Sequence, residues 1–177
     1  NALLSLTTNA GGNTTLAGNA TTAGNMTFND NVSLNGTYTT TSGGANGVFF
    51  VGGNSTLVAN LTVIAGSGNV TFNGTVNGNA ADVRALTVNS TGSTLFNAAV
   101  GNANALLSLT TDAGGNTTLV ADANTSGNMT SNDNVSLKGT YNTNSSGTAN
   151  GVFFANATTT LLGNSTVATG SGNVTFN

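Results

Sequence analysis

The chain contains no cysteine, proline, tryptophan, histidine or glutamate, and only seven of its 177 residues carry charge. Without cysteine there are no disulfides and no thiolate metal sites. Without histidine or glutamate, and with one lysine and one arginine, the clustered acids and bases of solenoid lyases and glycosidases would have to come from aspartate alone. The composition therefore argues against an enzyme, and no cofactor or metal is expected. Two basic residues, Arg84 and Lys138, cannot build a phosphate-binding surface, which argues against nucleic acid as a partner. No apolar run approaches the roughly 18 residues of a spanning helix, so no membrane-spanning segment is expected. The chain shows no signal peptide and begins with Asn, and it reads as a window of a longer or processed protein.

What fills the space is polar and small. Asn (31), Thr (33), Gly (25) and Ser (15) make up well over half of the chain, and 4% of residues are charged against roughly 25% in ordinary soluble proteins. Such an alphabet can signal disorder. Disordered chains, however, lack regularly placed Val, Leu and Phe, whereas here 37% of residues are hydrophobic and they recur in register. The chain reads as ordered.

The recurrence is a tandem duplication. Asn1 to Thr8 returns as Asn104 to Thr111, an offset of 103 that becomes 104 after one extra residue at Ser146. Aligned so, residues 1–73 match 104–177 at 52 of 73 positions, and Gly66 to Asn73 returns letter for letter as Gly170 to Asn177. The expectation is one repeat array over 1–177, with a first unit at 1–103 and a partial second at 104–177.

Shorter periods lie inside the long one. Met26 to Phe28, Val48 to Phe50, Val70 to Phe72 and Thr94 to Phe96 are spaced by 22, 22 and 24 residues, and Thr117 to Leu119 follows after 23. Thr14 to Leu16 breaks the series, its Leu preceding Phe28 by only 12, which predicts either a short coil or half of a double one. Within each segment the alternation has period two, so Val70 and Phe72 point one way and Asn69, Thr71 and Asn73 the other. Thr and Val favour strands, while Asn and Gly accept the tight turns between them. The prediction is an all-β chain: a parallel β-helix, or β-solenoid, of roughly eight coils of about 22 residues stacked at about 4.8 Å. Val70, Phe72, Val76, Leu86 and Val88 are its expected core. The missing proline fits, because interior strands pair on both edges and proline would delete a ladder bond. A β-sandwich is the rival, and it does not call for the 103-residue duplication.

The aspartates are Asp30, Asp82, Asp112, Asp122 and Asp133, of which Asp30 and Asp133 are equivalent. A calcium site would need several oxygen ligands at a spacing that is absent, so these read as turn residues bonding their own backbone. The strongest chemical signal is Asn-x-Ser/Thr, which occurs 18 times where shuffling would give roughly eight. Asn13, Asn25, Asn31, Asn54, Asn69, Asn73, Asn116, Asn128 and Asn173 are candidate glycan attachment points. The same triplets also follow from Asn and Thr sharing the outward side of a strand. Asn ladders could stabilise stacking through amide bonds along the axis. Thr pairs on a flat face could bind ice, but Thr-x-Thr does not recur once per coil.

Residues 68–78 (GNVTFNGTVNG), 86–92 (LTVNSTG) and 110–118 (TTDAGGNTT) resemble the repeats of filamentous-haemagglutinin-type exoproteins and autotransporter passengers. The resemblance covers the whole chain and implies a right-handed parallel β-helix, export across a Gram-negative outer membrane, and adhesion or filament formation. The sequon density is similar to that of glycosylated high-molecular-weight adhesins. The expected function is a structural stalk or fibre segment of a secreted surface adhesin, extracellular or on the outer cell surface. Its partners would be a host or neighbouring cell surface or other copies of itself. The alternatives are a self-assembling extracellular filament subunit and a carbohydrate-binding module.

Overall fold

The computed structural model describes residues 2–40, 47–81, 83–147 and 151–177. Among these the regular structure is strand, with no helix, and the strand pairings are parallel. The chain is a parallel β-solenoid of about seven turns.

The pairings fall into three columns, each with eight levels. On the first face Leu6, Met26, Phe49, Val70, Thr94, Thr117, Val135 and Thr159 pair in succession. On the second the series is Thr14, Val32, Ser55, Val76, Val100, Ala123, Tyr141 and Val167. On the third it is Ala20, Tyr38, Val63, Val88, Thr111, Ser131, Ala155 and Phe176. One step along a column takes between 18 and 26 residues. The excess over 18 goes into corner loops, which is how a solenoid absorbs insertions without breaking a ladder. The extra residue of the second unit lies in such a loop, between Asn142 and Phe153.

The duplication does not stay on one face. Leu6 stands on the first face at the first level, and its counterpart Leu109 pairs with Leu86 and Met129 on the third face at the fifth. One unit of 103 residues thus occupies fourteen strand positions, or four turns and two-thirds. Each copy is turned by one face relative to the other. This resolves the irregular step at Thr14, which is neither a short coil nor half of a double one. Thr14 pairs on the second face, while its counterpart Thr117 pairs on the first.

The core forms as the alternation predicts. Val70, Phe72, Val76, Leu86 and Val88 are all fully buried, and Asn69 and Asn73 are exposed. One register differs by a residue: the strand is Phe49–Val51, with Phe49 and Val51 inward and Phe50 outward. Four apolar residues in a row from Val48 give alternation nothing to choose between. The packing decides, because Phe49 reaches Phe28, Phe72 and Tyr38 at centroid distances of 5.8, 5.7 and 6.0 Å. Phe72 and Phe96 stack face to face at 5.3 Å. The outer side of the third face carries a ladder of its own, Thr37, Thr62, Thr87, Thr110 and Thr130, paired level by level.

One corner needs glycine for close approach rather than for unusual dihedrals. A Cβ on Gly47 would lie 2.6 Å from the Gly24 carbonyl, one on Gly68 would collide with the Gly47 carbonyl, and one on Gly92 would lie 2.9 Å from that of Gly68. Beside this stack, buried hydroxyls of Thr22, Thr40 and Ser90 donate to the carbonyls of Gly24, Gly47 and Gly68 at 2.6, 2.7 and 2.6 Å. Turned by one face, Thr125 and Thr143 repeat the arrangement on Gly127 and Gly151 in the second copy. The Gly66–Asn73 stretch is therefore a corner plus a strand.

Ser55 is an exception inside the core. Its hydroxyl is buried without a partner, and Val32 and Val76 stand above and below it in the column. An unpaired buried hydroxyl is unfavourable. Ser55→Ala should raise the unfolding free energy by about 1 kcal/mol, read as a later midpoint in urea titration. An unchanged or earlier midpoint would show that the hydroxyl has a partner in solution.

Candidate functional site

Three sets of polar residues are candidates for chemistry: the aspartates, the sequon asparagines and a groove on the second unit.

Asp30 and Asp133 do more than turn the chain. Asp30 lies in the corner between the Met26–Phe28 and Asn31–Thr39 strands. Its Oδ1 accepts from Thr8 Oγ1 and its Oδ2 from Thr14 Oγ1, both at 2.7 Å. Asp133 repeats the clasp, accepting from Thr111 at 2.9 Å and Thr117 at 2.7 Å. Each carboxylate therefore ties its coil to two strands of the coil before it. The expected bond to the aspartate's own backbone contributes only secondarily. The two clasps titrate in opposite directions. Hydroxyl donation by Thr8, then Thr14, lowers the pKa of Asp30. Burial raises that of Asp133, with Thr117 and Thr111 pulling it back. Asp133→Ala would leave two buried hydroxyl donors without their acceptor. It should destabilise by about 1–3 kcal/mol; a thermal midpoint equal to that of the unmodified chain would refute the clasp.

The other acids are dispersed. Asp112 accepts the Ser90 N–H at 2.9 Å and Asp122 the Thr140 N–H at 2.7 Å. Asp82 lies outside the described residues. Among the described residues no three acidic, histidine or cysteine side chains gather to hold a metal ion.

All nine candidate glycan asparagines are exposed and stand at strand ends. Asn13, Asn31 and Asn116 open strands; Asn25, Asn54, Asn69, Asn128 and Asn173 immediately precede them; Asn73 follows one. The expected amide ladder is present. Asn25, Asn31, Asn54, Asn69 and Asn128 use Oδ1 to accept backbone N–H groups of the next coil, from Val48, Asn54, Thr75, Ser93 and Val152, at 2.9–3.0 Å. Asn73 and Asn116 accept from the amides of Asn97 and Asn134 at 2.7 and 3.3 Å. These bonds satisfy backbone donors that the corners would otherwise leave to solvent. They engage Oδ1, whereas a glycan would join Nδ2.

The groove lies along the corner between the first and second faces. A depression of about 510 Å³ is lined by Ala99, Val120, Ala121, Asp122, Lys138 and Asn164, among others. It shares Asn102 with a second of about 420 Å³ beside Asn124 and Ser145. Nothing in the sequence brings these residues together, since they come from four successive coils. Lys138 also marks a buried tyrosine: its N–H donates to Tyr141 Oη at 2.7 Å, and that hydroxyl donates to the Leu119 carbonyl at 2.9 Å. Burial pushes the Tyr141 phenol up to about 12. An unfolded tyrosine ionises near 10, so the unfolded chain loses its proton first and stability falls as pH rises from about 10 towards 12. In alkaline titration, phenolate absorbance from Tyr141 should appear only with loss of the strand signal.

Fold and site together define a β-solenoid of β-helical repeats. No family model, no curated protein and no solved structure matches this chain.

Proposed function

We propose that the chain is a structural stalk or fibre segment of a secreted bacterial surface adhesin, of the filamentous-haemagglutinin or autotransporter-passenger type. The observation that carries the reading is the continuity of the stack. Three columns run unbroken through eight levels, joined at the corners by glycine contact, asparagine amides and Asp–Thr clasps. Seven steps of about 4.8 Å give a rod segment of roughly 34 Å. Burial adds up along the axis, so such a rod lengthens without needing a new core. Its surface is polar and nearly uncharged, and exposed sequons at strand ends suit glycan attachment. Among the described residues no helix is long and apolar enough to cross a membrane. The work of such a segment is to hold a binding element away from the cell that makes it.

Intact mass spectrometry of native material reports chain length and glycan load together. A mass in excess of the polypeptide in hexose increments, mapped to the nine asparagines, supports the coated stalk. Unmodified asparagines throughout would remove the glycan part of the reading. Rods seen by electron microscopy on cells, lost with the gene, test the stalk itself.

A further inference from the structure

We propose that the groove on the second unit is a saccharide-binding site, a role that does not depend on the stalk reading. The argument starts from how the two copies differ there. Asp122 stands where the first unit has Asn19, and both side chains make the same bond. Asn19 Oδ1 accepts the Thr37 N–H at 2.8 Å, and Asp122 Oδ1 accepts the Thr140 N–H at 2.7 Å. The exchange leaves the scaffold bond in place and turns the second atom from an amide donor into a charged acceptor.

Lys138 behaves alike. It replaces Asn35, and both residues give their backbone N–H to the tyrosine three positions on, Tyr38 at 3.2 Å and Tyr141 at 2.7 Å. The fold again keeps its contact, and the side chain adds a cation. A third exchange lies beneath it. Ala59 becomes Gly163, over which the Lys138 stem lies; a Cβ there would meet Lys138 Cγ at 3.4 Å and Cδ at 3.7 Å, ordinary contact distances, so the stem does not require the glycine. With Ala17 to Val120, Gly18 to Ala121 and Thr21 to Asn124, six differences between otherwise similar copies gather in and beside one trough. None of the three argued exchanges repairs packing or a backbone bond. What they change is the chemistry the trough presents.

That chemistry selects the occupant. Each depression is within the roughly 300–1,000 Å³ of small-ligand sites. The floor is made of small side chains, which allow a ligand to lie close. The walls carry a carboxylate, an ammonium and the amides of Asn102, Asn124 and Asn164, all of them hydrogen-bonding groups. An apolar ligand would cover the Lys138 ammonium and the free Asp122 oxygen without bonding either, while Asp122 Oδ1 keeps the Thr140 N–H. An extended peptide would bind by strand addition, but the Asn134–Asn142 strand, which carries Lys138 and Gly139, already pairs on both edges. One lysine is too little charge for nucleic acid. A short chain of hydroxyl-bearing sugars offers donors to Asp122 and acceptors to Lys138 and the amides along its length. The two adjoining depressions suit an extended ligand of that kind.

The test uses the 177-residue protein on an array of immobilised neutral and uronic-acid glycans, followed by calorimetric titration with the best-retained tetrasaccharide. The informative variant is D122N/K138N, which installs the residues the first unit already tolerates at the matching positions. It should fold with an unchanged thermal midpoint and bind at least about tenfold more weakly, the effect of losing charged hydrogen bonds. N19A, outside the groove, should bind as the unmodified chain does. No retention of any glycan overturns the proposal, and so does D122N/K138N binding with undiminished affinity. Loss of binding in both variants would also overturn it, since the site would then not be the groove.

Discussion

Gly68→Ala should unfold the coils on either side of it while more distant coils stay ordered. The added Cβ meets the Gly47 carbonyl from one side and comes close to the Ala65 carbonyl, at 3.0 Å. Both obstacles are backbone, so no rotamer change relieves them. The coil spacing must open, and with it the bond from Ser90 Oγ to the Gly68 carbonyl at 2.6 Å and the parallel ladders of Val70–Phe72. Overpacking a well-filled interior costs about 1–3 kcal/mol and sometimes more, and loss of ladder bonds puts this case at the upper end. A solenoid is held by nearest-neighbour contacts, so the damage should be local. Hydrogen exchange should show fast amides from Phe49 to Phe96 and slow ones beyond Asn116. Uniformly slow exchange in the variant would mean that the corner has room the stack does not show. Gly18→Ala is the control, because a Cβ there meets nothing within 4 Å.

The second large effect is expected at Phe72. Its ring is fully buried, stacks on Phe96 at 5.3 Å and touches Phe49 at 5.7 Å, so it joins three levels of the interior. Phe72→Ala removes these contacts and should cost about 3–5 kcal/mol. Phe72→Asp adds an unpaired buried charge and should abolish the folded coil. Circular dichroism and urea titration separate the cases: Phe72→Ala lowers the midpoint with strand signal retained, and Phe72→Asp loses strand signal in water. A fully folded Phe72→Asp protein would overturn the inward assignment of this residue.

The parts of the fold that were legible in the sequence are those that local alternation determines. Val70 and Phe72 alternate with Thr71, and that alone places the strand and its buried side. Alternation fails where neighbours are all apolar, as at Val48 to Val51, and there the register came from ring packing across coils. The turned duplication was hidden because columns advance by 18 to 26 residues, so no single period reveals which face a segment occupies. The clasps were hidden for a different reason. Thr8 and Thr14 precede Asp30 by 22 and 16 residues and become its neighbours only when coils stack. Asn exposure could be read from Asn69 and Asn73 lying opposite Val70 and Phe72. The groove could not, since it needs side chains from four levels at once.

Fourteen strand positions per unit, divided among three faces, leave a remainder of two. Copies joined in this register therefore never show the same segment twice in succession on one side. A patch built from one stretch of the unit reappears in the next copy a third of a turn around the axis, and returns to its starting side only after three units. That is fourteen coils, or roughly 67 Å at about 4.8 Å each. A rod so built has no front or back. What matching copies share, such as the asparagine pairs Asn13/Asn116 and Asn25/Asn128, is spread evenly about the axis, whereas the groove belongs to one copy alone.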